Sequence, residues 1–284
     1  MDDSLAQADL APRSYRRSPV RLYLNWIGRI IVAIVRTLHG LGAFALITLG
    51  VTATKFWKAA DVIHPMISRQ ISRAGVSMLP MVSFVAAGLG LVVIGQTVSL
   101  LNRYGAQEWA GVVMVTVIFR ELGPLVTALL VLARVGTVIV IELSTNRATG
   151  EVEALEALGI DPIHFLVVPR VLGLAASIFS LTVYMIIVSL ASGYLFAFIQ
   201  DVPISPGQYL NQLTASLRWQ DFALLALKTL SFGSVIAVVT CYHGLARPVR
   251  LEEVGSVTSK AVVHSVFACV LLDALFIIAY LVII

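Results

Sequence analysis

The stretch FRELGPLVTALLVLARVGTVIVIELSTNRATGEVEALEALGIDPIHFLVVPR spans residues 119–170 and decides the fold of the chain. It begins inside an apolar segment that is long enough to enter a bilayer and carries Arg120 and Glu121 near its middle. A short charged segment, 151–162, follows, and a second apolar segment starts at once. Charges in hydrocarbon are costly and are rarely retained without a use. A short polar helix held between two spans can also transmit force, so both features indicate a transport protein rather than a passive anchor.

Composition places the chain among integral membrane proteins. Of its 284 residues 58% are hydrophobic and 13% charged, with a mean hydropathy of +0.92, whereas soluble domains carry about 25% charged residues. The length suits one integral domain of several helices. No GxxxxGK[ST] phosphate loop occurs, so ATP hydrolysis is expected on a partner subunit and this chain is expected to bind no cofactor. Cys241 and Cys269 lack CxxC spacing and the histidines form no HExxH motif, which predicts packing cysteines and no metal site.

The first 75 residues are predicted to stay on one side of the membrane. Residues 1–19 form a tail on the cytoplasmic side, with no signal-peptide cleavage pattern. Residues 20–38 are predicted to form an amphipathic interfacial helix, because Arg21, Asn25, Arg29 and Arg36 fall within about 80° of each other on a helical wheel. A true span with stray arginines is the alternative. Residues 40–57 are predicted to be re-entrant or interfacial, since crossing would place the basic segment after them outside.

Five spans are predicted in residues 76–284, which makes the chain an all-α integral membrane protein. They are expected at 76–101, 109–143, 165–199, 221–241 and 261–284. The second would be roughly 50 Å long, well beyond a hydrocarbon core of about 30 Å. It must tilt, bend or project from the membrane. Gly123 and Pro124 mark the expected bend, because Pro124 cannot donate to the Arg120 carbonyl and crowds it.

The distribution of basic residues predicts how the five spans are oriented in the membrane. Two of the 20 Lys and Arg residues, Arg103 and Arg218, lie outside, and Arg120 and Lys228 lie within the membrane. The remaining sixteen lie inside or at the inner interface: Arg13, Arg16, Arg17, Arg21, Arg29, Arg36, Lys55, Lys58, Arg69, Arg73, Arg134, Arg147, Arg170, Arg247, Arg250 and Lys260. This bias predicts a cytoplasmic N-terminus and a periplasmic C-terminus, and it explains the net charge of +4 without nucleic acid.

Four charged residues are expected at similar depth on three spans. They are Arg120, Glu121, Lys228 and Asp273. Adjacent helical residues point about 100° apart, so Arg120 and Glu121 cannot satisfy each other. We predict that Arg120 pairs with Asp273 and that Glu121 pairs with Lys228. The pairs either lock the bundle or border a path for lipid, and Lys228 has the further option of reaching toward the interface.

Residues 149–162, called the elbow below, carry strong helix-boundary signals. Thr149 is predicted to cap a short helix whose first turn holds Glu151 and Glu153. Gly159 is the predicted C′ residue, and Asp161 followed by Pro162 is predicted to start the next helix. One apolar face is formed by Val152, Leu155 and Leu158. From spacing alone, a well-capped ordinary loop fits as well as a helix that transmits force.

Several motifs in and around the elbow stand together: RELGP (120–124), RVG (134–136), EL (142–143), EALGIDP (156–162) and VPR (168–170). They resemble the signature of the MlaE (YrbE) family, ABC-transporter permeases that move lipids in association with MCE-domain proteins. The resemblance implies a homodimer, two ATPase subunits that carry the ATP, an MCE-domain partner on the periplasmic face and a bacterial inner membrane. It also implies that the elbow is the coupling helix, with the residues Glu151, Glu153, Leu155, Glu156, Leu158, Gly159, Asp161 and Pro162.

The resemblance weakens at residues 246–253, where ARPVRLEE replaces a glycine-rich stretch that is frequent in the family. Three other functions remain open. A permease that exports small apolar compounds would need no MCE partner. An intramembrane enzyme would need a nucleophile–base pair or paired aspartates at membrane depth, and the sequence offers neither, so no catalytic residue is predicted. A non-transporting scaffold would neither stimulate nor respond to an ATPase.

Overall fold

The computed structural model describes residues 19–55, 60–106, 109–199, 205–246 and 250–283. Within these ranges the chain is helical, without a strand. The α-helices are α1 (Pro19–Lys55), α2 (Ala60–Ala74), α3 (Leu79–Leu89), α4 (Gly95–Arg103), α5 (Ala110–Met114), α6 (Gly123–Val131), α7 (Thr137–Ala148), α8 (Glu151–Ala157), α9 (Val168–Ile199), α10 (Pro206–Ser216), α11 (Trp219–Leu245) and α12 (Val254–Ile283). The chain divides into two units, 1–43 and 44–284, and the sites described below belong to the second.

Several of these helices join into longer rods through π-helical turns. The turns are Gly90–Ile94, Val115–Leu122, Leu132–Gly136 and Ile163–Val167. Among the described residues, six segments are long and apolar enough to cross a membrane: Val35–Thr52, Pro65–Leu101, Ala110–Ala148, Ile163–Ile199, Trp219–Leu245 and Leu251–Val282. The predicted class, an all-α membrane protein, is confirmed. The last five segments contain or closely match the five predicted spans and are longer at most of their ends.

The N-terminal region differs from the prediction of two separate helices. Helix α1 runs without a break from Pro19 to Lys55, because residues 20–55 contain no proline and isolated glycines are tolerated inside a helix. Its segment Val35–Thr52 meets the length and hydropathy of a span, so the interfacial or re-entrant placement stays a prediction. The predicted tail lies, except for Pro19, outside the described residues.

Helix α9 is the centre of the bundle and contacts α2, α3, α6 and α11. The main hydrophobic core surrounds it and includes Met78, Leu132, Ile178, Phe232 and Ile236, and also both predicted packing cysteines, Cys241 and Cys269. Helices α9 and α11 approach closely at Gly233, where a Cβ atom would lie 2.4 Å from the Ala175 Cα. Small residues at such contacts allow helices to pack in lipid without a hydrophobic driving force.

Replacing Gly233 by alanine is therefore expected to destabilise the protein by about 1–3 kcal/mol, because α9 and α11 must separate. Gly88→Ala is the matched control, since a Cβ there meets nothing within 4 Å. That variant is expected to change stability by less than about 1 kcal/mol. Unfolding of the purified protein in detergent measures both, and equal stabilities would contradict the close packing.

Between the predicted third and fourth spans, the described part of the chain holds helix α10. Ser205 accepts from the Gln208 backbone N–H while the Gln208 side chain accepts from the Ser205 backbone, which is a capping box. Helix α10 packs on α5 and buries Tyr209, whose hydroxyl donates to the Leu190 carbonyl at 3.0 Å. Burial raises the pKa of the Tyr209 phenol, so the group stays a neutral donor. The end of the bundle that carries α10 is called the far end below.

Candidate functional site

The charged residues of the RELGP motif lie on a π-helical turn, Val115–Leu122. Such turns in α-helices are frequent at functional sites. The turn ends at Gly123, whose N–H donates to the Ile118 carbonyl and where a Cβ would lie 2.6 Å from that oxygen. Pro124 has no N–H for the carbonyl of Arg120, as predicted. The structure gives that carbonyl another donor, the Lys228 ammonium at 2.8 Å.

Lys228 is the centre of the intramembrane charges. Its side chain is 6% exposed and lies 2.9 Å from a Glu121 oxygen and 2.7 Å from a carboxylate oxygen of Asp273. The ammonium donates to Glu121 Oε2 and to the Arg120 carbonyl, and its contact with Asp273 is an ion pair. The predicted Glu121–Lys228 pair is confirmed. Lys228 is buried rather than extended to the interface, because two carboxylates and a freed carbonyl replace its water.

The predicted pair between Arg120 and Asp273 is wrong. Arg120 instead binds Asp221 in a bidentate manner, with Nε 2.9 Å from Oδ1 and Nη2 3.2 Å from Oδ2. Its guanidinium also lies 4.5 Å from the centre of the Tyr280 ring, at cation–π distance. The arginine side chain is long and can extend along the bundle, so its partner need not lie at the depth of its own Cα.

Asp221 is a site residue that the sequence reasoning missed. Its side chain is 2% exposed, although the residue lies in the first turn of α11. It also accepts from the Arg218 backbone N–H at 2.9 Å, so a helix-capping position holds the carboxylate in place. The signal was a carboxylate three residues after the helix boundary. We name Arg120, Glu121, Asp221, Lys228 and Asp273 the charge cluster.

The charge cluster borders a cavity with about 390 Å³ of empty space. The cavity is lined by Phe119, Arg120, Glu121, Asp221, Leu224, Leu225, Lys228, Phe276 and Tyr280. Asp273 lies behind Lys228 and is 12% exposed at the side chain. Ionised groups of both signs beside apolar walls suit an amphipathic ligand, because its polar end can exchange with an existing ion pair.

The elbow forms a short helix, α8, with termination signals close to those predicted. Gly159 has a φ of +75°, a conformation that favours glycine. Its N–H donates to the Glu156 carbonyl at 3.0 Å and the Ile160 N–H to the Leu155 carbonyl at 3.0 Å, which is a Schellman motif. Asp161 accepts from the Ile163 N–H at 3.0 Å, which confirms the predicted start of the following helix with Pro162 in its first position.

The predicted cap at Thr149 is wrong. Thr149 closes α7, because its hydroxyl donates to the Thr145 carbonyl at 3.1 Å. Gly150, with a φ of +81°, precedes α8 instead. A left-handed residue is needed there to reverse the chain between two helices that follow each other directly. Glu151 and Glu153 occupy the first turn of α8 as predicted, and Glu153 lies 3.4 Å from Arg147.

The elbow presents apolar side chains at the surface. Val152 is buried, whereas Leu158 is 76% exposed and Leu155 is half-buried. Two surface depressions with about 610 and 620 Å³ of empty space flank α8. Leu155 and Leu158 line the first, and Glu156, Asp161 and Pro162 line the second. An exposed leucine beside two open depressions fits a surface that receives another protein.

A separate ion pair joins the two helices that flank the elbow. Glu142 on α7 lies 3.1 Å from Arg170 at the start of α9, and Arg170 also donates to the Leu166 carbonyl at 3.0 Å. Arg73 on α2 lies 3.8 Å from the other Glu142 oxygen. This pair lies near the elbow, away from the charge cluster. It holds α7 and α9 together beside the point where the chain leaves and re-enters the bundle.

These features define a multi-pass helical membrane protein that holds charged side chains inside its bundle. Residues 67–279 match the family model described as permease MlaE. The chain therefore belongs to the MlaE permease family, which confirms the resemblance seen in the motifs.

Relatives of the chain include proteins named as probable ABC transporter permeases. A probable ABC transporter permease protein of Rickettsia typhi is 30% identical over 236 residues, which is 81% of this chain and 88% of the relative. Another, from Synechocystis, is 33% identical over 200 residues, 70% of this chain and 75% of the relative. The protein TRIGALACTOSYLDIACYLGLYCEROL 1, chloroplastic, of Arabidopsis thaliana is 28% identical over 207 residues, 72% of this chain and 58% of the relative. The chain is thus a transport subunit of the ABC class.

Proposed function

We propose that this permease moves phospholipid or a related lipid between the inner membrane and a periplasmic MCE-domain partner, driven by a separate ATPase. The charge cluster beside the apolar cavity is the observation that carries the proposal. A lipid needs polar partners for its headgroup and apolar walls for its acyl chains at the same depth, and this cavity offers both. The Arabidopsis relative, which bears the name of a lipid, supports the same class of substrate.

A second copy of the chain completes the transport path in this proposal. Only 17% of the apolar window of the Leu251–Val282 segment is buried, and this segment carries Asp273 and Tyr280 of the cavity region. The residues around this cavity enclose too little space for the acyl chains of a phospholipid. Two copies that place α12 helices against each other would extend the apolar wall and enclose the chains.

The elbow is the proposed site of ATPase docking. The elbow connects α7 to α9 through the short helix α8, whose start and end are fixed. A force applied at Leu158 is therefore transmitted to both neighbouring spans. The ATPase then lies on the cytoplasmic side with the N-terminus, and the C-terminus and the MCE-domain partner lie on the periplasmic side. The roles of Glu151, Glu153, Leu155, Glu156, Leu158, Gly159, Asp161 and Pro162 belong to this proposal.

Reconstitution tests the proposed function directly. The chain is purified with its co-purifying subunits, and these and any retained lipid are identified by mass spectrometry. The complex is then placed in vesicles that contain fluorescent phospholipid. We expect retained phospholipid and ATP-dependent lipid transfer to an acceptor. ATP hydrolysis without lipid transfer, from a complex that retains no lipid, would contradict the proposal.

Export of small apolar compounds is the second candidate function. The apolar side chains that line the cavity, among them Phe119, Leu224 and Phe276, favour it, because small apolar compounds bind to hydrophobic and aromatic walls. This function predicts ATP-dependent efflux of an apolar dye from vesicles without an MCE-domain partner. The same vesicles would then show no lipid transfer, so one preparation separates the two candidates.

A further inference from the structure

The charge cluster contains more acid than base. Arg120 and Lys228 supply two positive charges, whereas Glu121, Asp221 and Asp273 supply three negative ones. Arg218 immediately precedes α11, and its backbone N–H donates to Asp221. The residue itself is exposed. Among the described residues that line the cavity or form ion pairs there, one formal negative charge is left. An uncompensated charge away from water is expensive, so this site favours a cationic ligand.

Both cations are already paired with carboxylates. Arg120 makes two hydrogen bonds to Asp221 and lies on the Tyr280 ring. Lys228 donates to Glu121 and to the Arg120 carbonyl and forms an ion pair with Asp273. An anionic phosphate that enters this cavity therefore meets cations whose charge is already balanced, together with three carboxylates that repel it.

Glu121 is the most accessible member of the cluster. Its side chain is 35% exposed, against 20% for Arg120, 12% for Asp273, 6% for Lys228 and 2% for Asp221. One of its oxygens, Oε2, binds Lys228, and a carboxylate has a second oxygen that accepts further hydrogen bonds. The group that the cavity offers to a ligand is therefore a carboxylate.

Aromatic rings complete the environment that an organic cation needs. Phe119 and Phe276 line the same cavity as Glu121. Tyr280 lines it too, with Arg120 against its ring. Aromatic faces attract ammonium groups, and recognition of quaternary ammonium by aromatic side chains follows from this attraction. A carboxylate and two phenylalanine rings around one cavity match an alkylammonium better than a phosphate.

We propose that Glu121 and the aromatic residues beside it bind an organic ammonium group. In the lipid function proposed above, on which this inference rests, the ligand is the amine of a zwitterionic headgroup such as phosphatidylethanolamine. A hydrophobic amine that is not a lipid carries the same chemistry. Glu121 thus determines specificity, because it favours zwitterionic over anionic phospholipid.

Lipid competition on the intact complex tests this inference. The complex is placed in nanodiscs with equal amounts of phosphatidylethanolamine and phosphatidylglycerol of identical acyl chains, and the retained lipids are counted by native mass spectrometry. We expect the complex to retain about ten times as much phosphatidylethanolamine as phosphatidylglycerol. This ratio corresponds to the free energy of one charge-assisted hydrogen bond. Glu121→Gln keeps an acceptor for Lys228 but removes the charge, and should bring the ratio close to one.

Glu142→Gln is the matched control. Glu142 is 38% exposed at the side chain and forms an ion pair with Arg170 at 3.1 Å, so it resembles Glu121 in exposure and pairing but lies outside the cluster. Its variant should keep the wild-type ratio. A second control changes the ligand and keeps the wild-type protein, so its result does not depend on the folding of the Glu121 variant. N-acetyl phosphatidylethanolamine lacks the positive charge of the amine. The wild-type complex should not prefer this lipid over phosphatidylglycerol.

The remaining outcomes show whether the ammonium belongs to a lipid headgroup or to a free amine. They also distinguish a failure of this inference from a failure of the proposed lipid function. Dodecyltrimethylammonium that binds only when Glu121 is present, with no retained lipid, would identify a free amine as the ligand and contradict the lipid function. Lipid retained without headgroup preference, or with a preference that survives Glu121→Gln, would overturn this inference and leave the lipid function standing. Binding of neither lipid nor amine would overturn both.

Discussion

Replacing Lys228 by methionine is expected to destabilise the protein by about 3–5 kcal/mol, the cost of removing one partner from a buried ion pair. The variant keeps the side-chain length but removes the cation that Glu121, Asp273 and the Arg120 carbonyl share. Asp273 is the most affected, because its side chain is only 12% exposed. Its charge then has no ion-pair partner among the residues that the structure describes. Thermal unfolding of the purified protein in detergent measures the loss.

Two variants show whether the charge or the packing is responsible. Lys260→Met removes an exposed cation of α12 and should change stability by less than about 0.5 kcal/mol. Lys228→Met combined with Glu121→Gln and Asp273→Asn removes the uncompensated charges and should recover much of the loss. If Lys228→Met alone is as stable as the wild type, the cluster contributes nothing to the fold and the pairs serve the ligand alone.

The sequence predicted only part of the pairing of these charges. The Glu121–Lys228 pair followed from helix length, since both residues were expected at a similar distance from the same membrane surface. The partner of Arg120 did not follow, because a long flexible side chain meets its partner well away from its own Cα. Asp221 was assigned to the end of a span, and from that position its burial is not visible in the sequence.

The helix boundary at the end of the elbow was predicted correctly, whereas the one at its start was not. Gly159, Asp161 and Pro162 act through their own backbone or through residues one or two positions away, so local sequence was sufficient. Thr149 failed because the same residue type can close one helix or start the next. The choice depends on Gly150, whose positive φ reverses the chain. The π-helical turn at Val115–Leu122 and helix α10 also escaped prediction, since both depend on packing against α9 and α5 as well as on local signals.

Replacing Leu158 by aspartate is expected to reduce ATP hydrolysis by the assembled transporter at least tenfold while leaving the permease itself intact. Leu158 is 76% exposed, so the change costs the isolated chain less than about 0.5 kcal/mol. Covering a leucine at an interface contributes about 1.5–3 kcal/mol, and an unpaired carboxylate there adds a penalty. ATPase turnover and the ratio of co-purified ATPase to permease are measured beside thermal unfolding of the permease alone.

Leu210→Asp is the matched control, because Leu210 is 58% exposed but lies on α10 at the far end. It should leave ATP hydrolysis unchanged. A Leu158→Asp variant that still binds the ATPase and hydrolyses ATP, yet moves no lipid, would assign Leu158 to force transfer rather than to docking. Normal hydrolysis together with normal transport would remove the elbow from the mechanism. The ATPase would then have to act on another part of the chain at the same end, and the tie between α7 and α9 would be structural.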